Sequence, residues 1–401
     1  MKTEIKKVKE TKIISNTAYT IGSALLLNGV LQVLINPLLN RMMGSESFGV
    51  VLYITGMVAI LCPSVGQALN NSRLVVRRKH DVENGDYNTM LLLFGAIGTI
   101  IVLIICRSSL HGTDEFILTI VLLMLTIFRY YGDVEYRLNL NYQKYFLYYV
   151  SVALGYVIGL GVYRITGNWF LVMILGEGLG LTYLAVTGTI FKNFFHRSPF
   201  FQVAVQRGSF LILSYLVTNL SLNIDRLMLK YLIGDLAVTQ YYVVSLIGKV
   251  MVMLVAPVNT IIISYLTKEK ANLNRRQFMQ LSGIGIAVSF VFWICAEIGT
   301  PLFVKLFYSN LYDSVKGLMM IVNTTQILGI LSAYLFIIVL TFTDERWQLT
   351  LQILHLCLLT VLILLFTGAH GIMGFAVAVF LANLIRVCLV MILGLRKAEK
   401  E

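Results

Sequence analysis

The chain is divided into apolar blocks of roughly 18–28 residues with short polar connections between them. That length lets a helix cross about 30 Å of hydrocarbon at 1.5 Å rise per residue. The candidate spans are 14–39, 48–70, 88–106, 115–132, 145–164, 168–191, 209–231, 238–266, 280–298, 317–342, 347–367 and 371–393. In lipid every backbone N–H and C=O must be satisfied internally, so such blocks fold as helices. The expected fold is an all-α membrane protein of about twelve transmembrane helices. With 58% hydrophobic and 13% charged residues, a water-soluble domain of this size has too little polar surface to cover its apolar part.

The basic run from Lys2 to Lys12 precedes an apolar stretch too long for a secretory leader, with no small-residue cleavage site after it. It reads as the first, uncleaved span. Placing the N-terminus inside puts most of the 32 Lys and Arg residues on the inner side, among them Arg73, Arg77, Arg78, Lys79, Arg275 and Arg276. The outer side keeps Arg41, Arg107, Arg164, Lys230, Lys305 and Lys316. By the positive-inside rule both termini are cytoplasmic, in a multi-pass protein of the plasma (cytoplasmic) membrane. The net charge of +12 then reflects this bias and the attraction of anionic membrane lipid, and calls for no nucleic acid.

Several classes of chemistry drop out. Cys62, Cys106, Cys295, Cys357 and Cys388 sit in or beside apolar blocks without a CxxC or a His cluster. They read as small buried hydrophobes, with no metal and no disulfide framework. No GxSxG, HExxH or Walker-type loop occurs, so no catalytic residue or cofactor is expected and the chain does not read as an enzyme. The short outer loop around 299–316 is also too small for the acidic or Arg/His clusters of a membrane glycan polymerase or glycosyltransferase.

The informative residues are polar ones inside spans, because each is costly in hydrocarbon unless it faces protein, water or a partner. Asn28, Gln32, Asn36 and Asn40 recur every four residues in span one, along one helix face. Span seven repeats the pattern with Asn219, Asn223, Arg226 and Lys230, next to Asp225. Span two, which contains Pro63, adds Ser64, Gln67 and Asn70 or Asn71, and span eight adds Ser245, Lys249 and Asn259, with Pro257 as a bend point. One reading makes these stripes the walls of a central polar cavity. The other makes them interhelical glue. Lys249 is deep enough to hold an anionic group as a point charge, or else to pair with Glu177 at similar depth in span six. Glu177 in turn is a candidate for a coupling cation or proton. Gly155 and Gly159 form a GxxxG spacing for close helix packing.

A faint repeat supports two halves, 1–200 and 201–401, each a six-helix lobe beside the cavity. Arg41-Met-Met-Gly-Ser-Glu-Ser-Phe-Gly49 parallels Tyr231-Leu-Ile-Gly-Asp-Leu-Ala-Val-Thr239, each joining a polar-striped helix to a proline-containing one.

These residues carry a family resemblance. The first loop resembles the "R-x-x-G-x-x-x-(Y/F)-G" pattern of polysaccharide flippases, and Asp225, Arg226, Gly234, Val238, Tyr241 and Lys249 resemble their seventh and eighth helices. That family, the lipid-linked oligosaccharide flippases (O-antigen and capsule exporters), is a branch of the multidrug/oligosaccharidyl-lipid/polysaccharide exporter superfamily. Two departures stand out: many relatives have fourteen helices, and Gln240-Tyr241 replaces the more usual Gly-Tyr. The resemblance implies a polyprenyl-diphosphate-linked glycan flipped from inner to outer leaflet by alternating access. Lys249 would meet the diphosphate, and Asn28, Gln32, Asn36, Gln67, Asn219, Asn223 and Asn259 the sugar. Arg41, Asp225, Arg226 and Glu177 would serve gating or coupling. Glycan polymerase or glycosyltransferases of the same pathway would be partners. The competing expectation is a cation-coupled multidrug or small-solute antiporter of the same fold, which calls for acidic residues deep in the membrane.

Overall fold

The computed structural model describes residues 2–268, 274–340 and 346–398, with no strand among them. Helix α1 runs over 2–43, interrupted by a π-helical turn at Val30–Ile35. It is followed by α2 (Ser45–Val76), α3 (Asn84–Cys106), α4 (Thr113–Gly132), α5 (Tyr142–Thr166) and α6 (Phe170–Thr187). Then come α7 (Phe201–Leu232), α8 (Asp235–Lys268), α9 (Arg275–Phe307) and α10 (Met319–Leu340). The final helical stretch, Arg346–Ala398, is broken at Gly371, whose φ of 56° and ψ of −138° lie outside the helical region. It therefore holds two helices, α11 over 346–370 and α12 over 372–398. Among the described residues nine stretches are long and apolar enough to cross a membrane, one of them spanning both α11 and α12. Helices α7 and α8 occupy the places of the seventh and eighth expected spans.

The helices form two compact units: Met1–Gly44 with Val50–Asp225, and Ser45–Gly49 with Arg226–Glu401. The division falls inside α7 rather than in the loop before it. The reason is local, since the first part of α7 is tied to the first unit: Tyr215 accepts from Asn71 at 2.6 Å and Asn219 donates to Ser64 at 3.0 Å.

In the first unit α5 and α6 form the tightest pair. The GxxxG spacing is the cause: a β-carbon on Gly155 would lie 2.5 Å from the Leu175 carbonyl oxygen, and one on Gly159 would lie 2.6 Å from the Val172 Cα. Backbone sits against backbone there, and no side chain can move aside. Gly155→Val is therefore expected to cost about 1–3 kcal/mol by overpacking, read as a lower unfolding midpoint of the purified protein, with Gly161→Val, a site with open space, as the neutral control.

The second unit packs α10 against α9, α8 and the α11–α12 stretch. Its core gathers Phe278, Leu331, Leu335, Ile338 and Val390. In both units the outward faces are apolar, as with Leu93, Ile97, Ile100 and Ile104 on α3 and Ile284, Val288 and Val291 on α9. Many inward groups are polar, including Asn70, Asp86, Arg129, Asp133 and Glu177. That inversion suits a chain solvated by lipid. Cys62 and Cys106 are buried as expected, but Cys295, Cys357 and Cys388 are exposed, because they lie on these outward apolar faces.

Each loop of the faint repeat holds a glycine with positive φ. Gly44 and Gly234 each take positive φ, 82° and 127°, immediately before α2 and α8. Glycine reaches that region without steric cost, and the next helix restarts at once.

Candidate functional site

The first unit places its charged groups around α4. Arg129 lies near the end of α4, and its Nε contacts Glu177 Oε2 of α6 at 2.5 Å, with both side chains almost fully enclosed. The contact is an ion pair without an aligned hydrogen bond. Tyr156 of α5 donates to the other carboxylate oxygen at 2.7 Å, and the guanidinium carbon lies 4.0 Å from the Tyr130 ring centre. The small residues beside Glu177 let α5 come this close: a β-carbon on Gly155 would sit 2.6 Å from the Gly176 Cα. Glu177 is thus engaged by Arg129 and Tyr156, in place of the Lys249 partnership that sequence depth suggested.

One turn further along, Asp133 caps the break between α4 and the short helix Val134–Leu138. Its carboxylate accepts from Asn70 and, at 2.9 Å, from Tyr149, and Arg137 lies 3.9 Å away. Arg137 also donates to the side chains of Asn70 and Asn71 at 2.9 and 3.2 Å. Through Tyr215 this network joins α2, α4, α5 and α7. Arg129, Asp133 and Arg137 stand four residues apart, the helical-face signal sought elsewhere.

The expected cavity residues divide. Ser64 and Asn219 meet, so the polar faces of α2 and α7 do converge in this unit. Asn223 donates back to the Asn219 carbonyl at 3.0 Å. Gln67 stands half-buried in a second π-helical turn, Pro63–Gln67. Proline lacks the N–H that an α-helical turn needs, and Ser64 donates to the Ile60 carbonyl at 2.5 Å in the widened turn. The α1 stripe spans a π-helical turn at Val30–Ile35, with Asn28, Gln32 and Asn36 half-buried and Asn40 fully buried. Asn28 donates to the Ala24 carbonyl at 2.9 Å and Gln32 to the Asn28 side chain at 3.4 Å. Arg41 is exposed and Asp225 half-buried.

In the second unit Lys249 is half-buried on α8, and Arg226 lies 5.2 Å over the Tyr242 ring. Lys230 pairs with Asp235 at 2.5 Å, so the last member of the α7 row closes the turn into α8. Tyr241 packs edge-on against Phe375. Asn259 lies outside the residues whose side chains are described. A carboxylate that sequence reading passed over, Glu297 on α9, accepts from Asn323 at 3.3 Å, beside the Thr300–Asn323 hydrogen bond.

The fold has clear counterparts. The inward-facing conformation of a multidrug resistance MATE family transporter of the MOP superfamily superposes with a TM-score of 0.63 at 14% identity, covering 96% of this chain and 95% of that one. The outward-facing conformation of a multidrug resistance MATE family transporter gives 0.60 at 15% identity, covering 96% of each chain. A MATE protein in its bent conformation gives 0.62 at 14% identity, covering 98% of this chain and 96% of that one. No family model matches the sequence. No curated protein matches it either. The chain therefore has the all-helical MATE-type fold. At these identities the likeness is one of fold alone.

Proposed function

We propose that the chain is a membrane transporter that moves its cargo by alternating access, with both termini on the cytoplasmic side of the plasma membrane. The carrying observation is the full-length fold likeness to inward-facing and outward-facing forms of multidrug transporters. Between the two cargo readings, the cation- or proton-coupled multidrug or small-solute antiporter has the stronger support. The solved relatives are multidrug exporters, and three carboxylates, Asp133, Glu177 and Glu297, lie inside membrane-length helices or at their ends. A carboxylate in such a place is a natural carrier of a coupling proton or cation.

The flippase reading stands second, on Lys249 within α8 and on the loop pattern from Arg41 to Gly49. In it Lys249 holds the diphosphate, the amides at positions 28, 32, 36, 67, 219, 223 and 259 meet sugar hydroxyls, and Arg41, Asp225 and Arg226 act as gate. Reconstituted vesicles separate the two. Under an imposed proton or sodium gradient, the antiporter moves a cationic dye, and Lys249→Ala leaves that rate unchanged or raises it by removing like charge. If the dye stays put while a fluorescent polyprenyl-diphosphate glycan crosses, and Lys249→Ala slows it about tenfold, the scale of one charge-assisted hydrogen bond, the cargo is the glycolipid.

A further inference from the structure

Helix α12 carries Arg386 inside the apolar stretch Thr350–Ala398, which is long enough to cross a membrane. Arg386 is half-buried, and among the described residues it forms neither an ion pair nor a hydrogen bond. None of its side-chain nitrogens is sealed off from a ligand. Helices α10, α11 and α12 contain no Asp or Glu, so these neighbours supply no opposite charge.

The break at Gly371 sets a second nitrogen base opposite. A β-carbon on Gly374 would touch the Phe366 carbonyl, and Leu351 shares a core with Val390. The same register puts His355 of α11 across from Arg386, near enough for the two to interact electrostatically. His355 Nδ1 is buried without a hydrogen-bond partner. On either side the outward faces are apolar and exposed, with Ile353 and Leu354 on α11 and Leu384 and Ile385 on α12.

A guanidinium at this depth is costly unless an anion or water meets it. Reaching for the basic end of the helix is a poor remedy. Arg396 lies ten residues on, about 15 Å along the axis, and the Cα–Cβ bond of a helical residue tilts the other way, toward the helix N-terminus. We propose that Arg386 and His355 bind the acidic head of a membrane amphiphile, a carboxylate or a phosphate, whose chain lies along the apolar faces of α11 and α12. The guanidinium fork matches two oxygens of such a head, and a ring N–H of His355 offers a further donor. The site belongs to the second unit alone and depends on neither cargo reading.

The test uses the purified, delipidated full-length protein in neutral detergent micelles, with bound lipid counted by mass spectrometry of the intact complex. Phosphatidic acid is compared with diacylglycerol, and oleate with methyl oleate, so that each pair isolates the acidic group. In at least one pair the acidic member is expected to bind about tenfold more tightly, the scale of one charge-assisted hydrogen bond. Arg386→Gln removes that advantage, and His355→Leu reduces it. Arg396→Gln, exposed near the end of α12, leaves it unchanged. Without lipid, Arg386→Gln unfolds no lower than the wild type, because the charge it removes has no partner to lose. The proposal is overturned if the uncharged members bind as tightly, if Arg386→Gln binds as the wild type does, or if Arg396→Gln weakens binding equally. It also falls if inorganic phosphate binds as tightly as phosphatidic acid, or if lipid-free Arg386→Gln is destabilised. Should Arg386→Gln resist purification, His355→Leu binding as the wild type does overturns it.

Discussion

Glu177→Ala is expected to destabilise the protein by about 3–5 kcal/mol, the cost of removing one member of a buried ion pair. The truncation leaves Arg129 buried with its charge uncompensated, facing the Tyr130 ring, and frees the Tyr156 hydroxyl that had donated to the carboxylate. The loss arises from the stranded charge more than from the lost attraction. Removing both charges together should therefore restore most of the stability, since well-packed apolar replacements of a buried pair are often neutral or better. Arg129→Met combined with Glu177→Leu is the variant to make, with unfolding of the purified protein as the first measurement. Vesicle transport is the second. If the stable double variant still answers an imposed ion gradient, Glu177 is a structural pin, and coupling passes to Asp133 or Glu297. If it moves cargo but ignores the gradient, Glu177 is the coupling group. A single variant as stable as the wild type would mean that the enclosed pair does not exist as described.

The sequence was legible wherever chain-local physics decides. Block length placed the helices, and the spacing of Gly155 and Gly159 announced the close approach of α5 to α6. Legibility failed where partners come from different helices. Depth singles out Glu177, but depth along a span says nothing of rotation about it, so it suggested Lys249 as a partner where the structure has Arg129. Arg129, Asp133 and Arg137 stand at or just past the end of α4 without a motif that singles them out. Yet Asn70, 63 positions earlier in the chain, reaches Asp133 there. The π-turn at Val30–Ile35 was illegible for another reason, since it has no compositional signature comparable to proline. The fold likeness does not identify the cargo, because a fold is kept while the residues inside it change.

Gly49→Val should give the second large effect. Gly49 is buried in the first turn of α2, and a β-carbon there would overlap the backbone carbonyl of Asp235, the first residue of α8. Neither element has room to slide. Asp235 is held by Lys230 at 2.5 Å, Thr239 donates to the Ser45 carbonyl at 2.7 Å, and Phe48 packs edge-on against Tyr242. Overpacking against fixed backbone reaches about 3 kcal/mol. The turn from Ser45 to Gly49 belongs to the second unit while α2 continues from Val50 in the first, so this seat is where the chain passes from one unit to the other. If the transport cycle visits the seated form, a 3 kcal/mol penalty reduces its population by about a hundredfold, and transport falls by a similar factor. Asn310→Ala removes an exposed hydrogen bond to Ser45, so it should cost about 1 kcal/mol and leave transport nearly intact. The measurement is vesicle transport at matched protein density, alongside the unfolding midpoint. Should Gly49→Val transport as fast as the wild type, the seat is not part of the working cycle, and the positive φ of Gly44 and Gly234 is only a matter of helix termination.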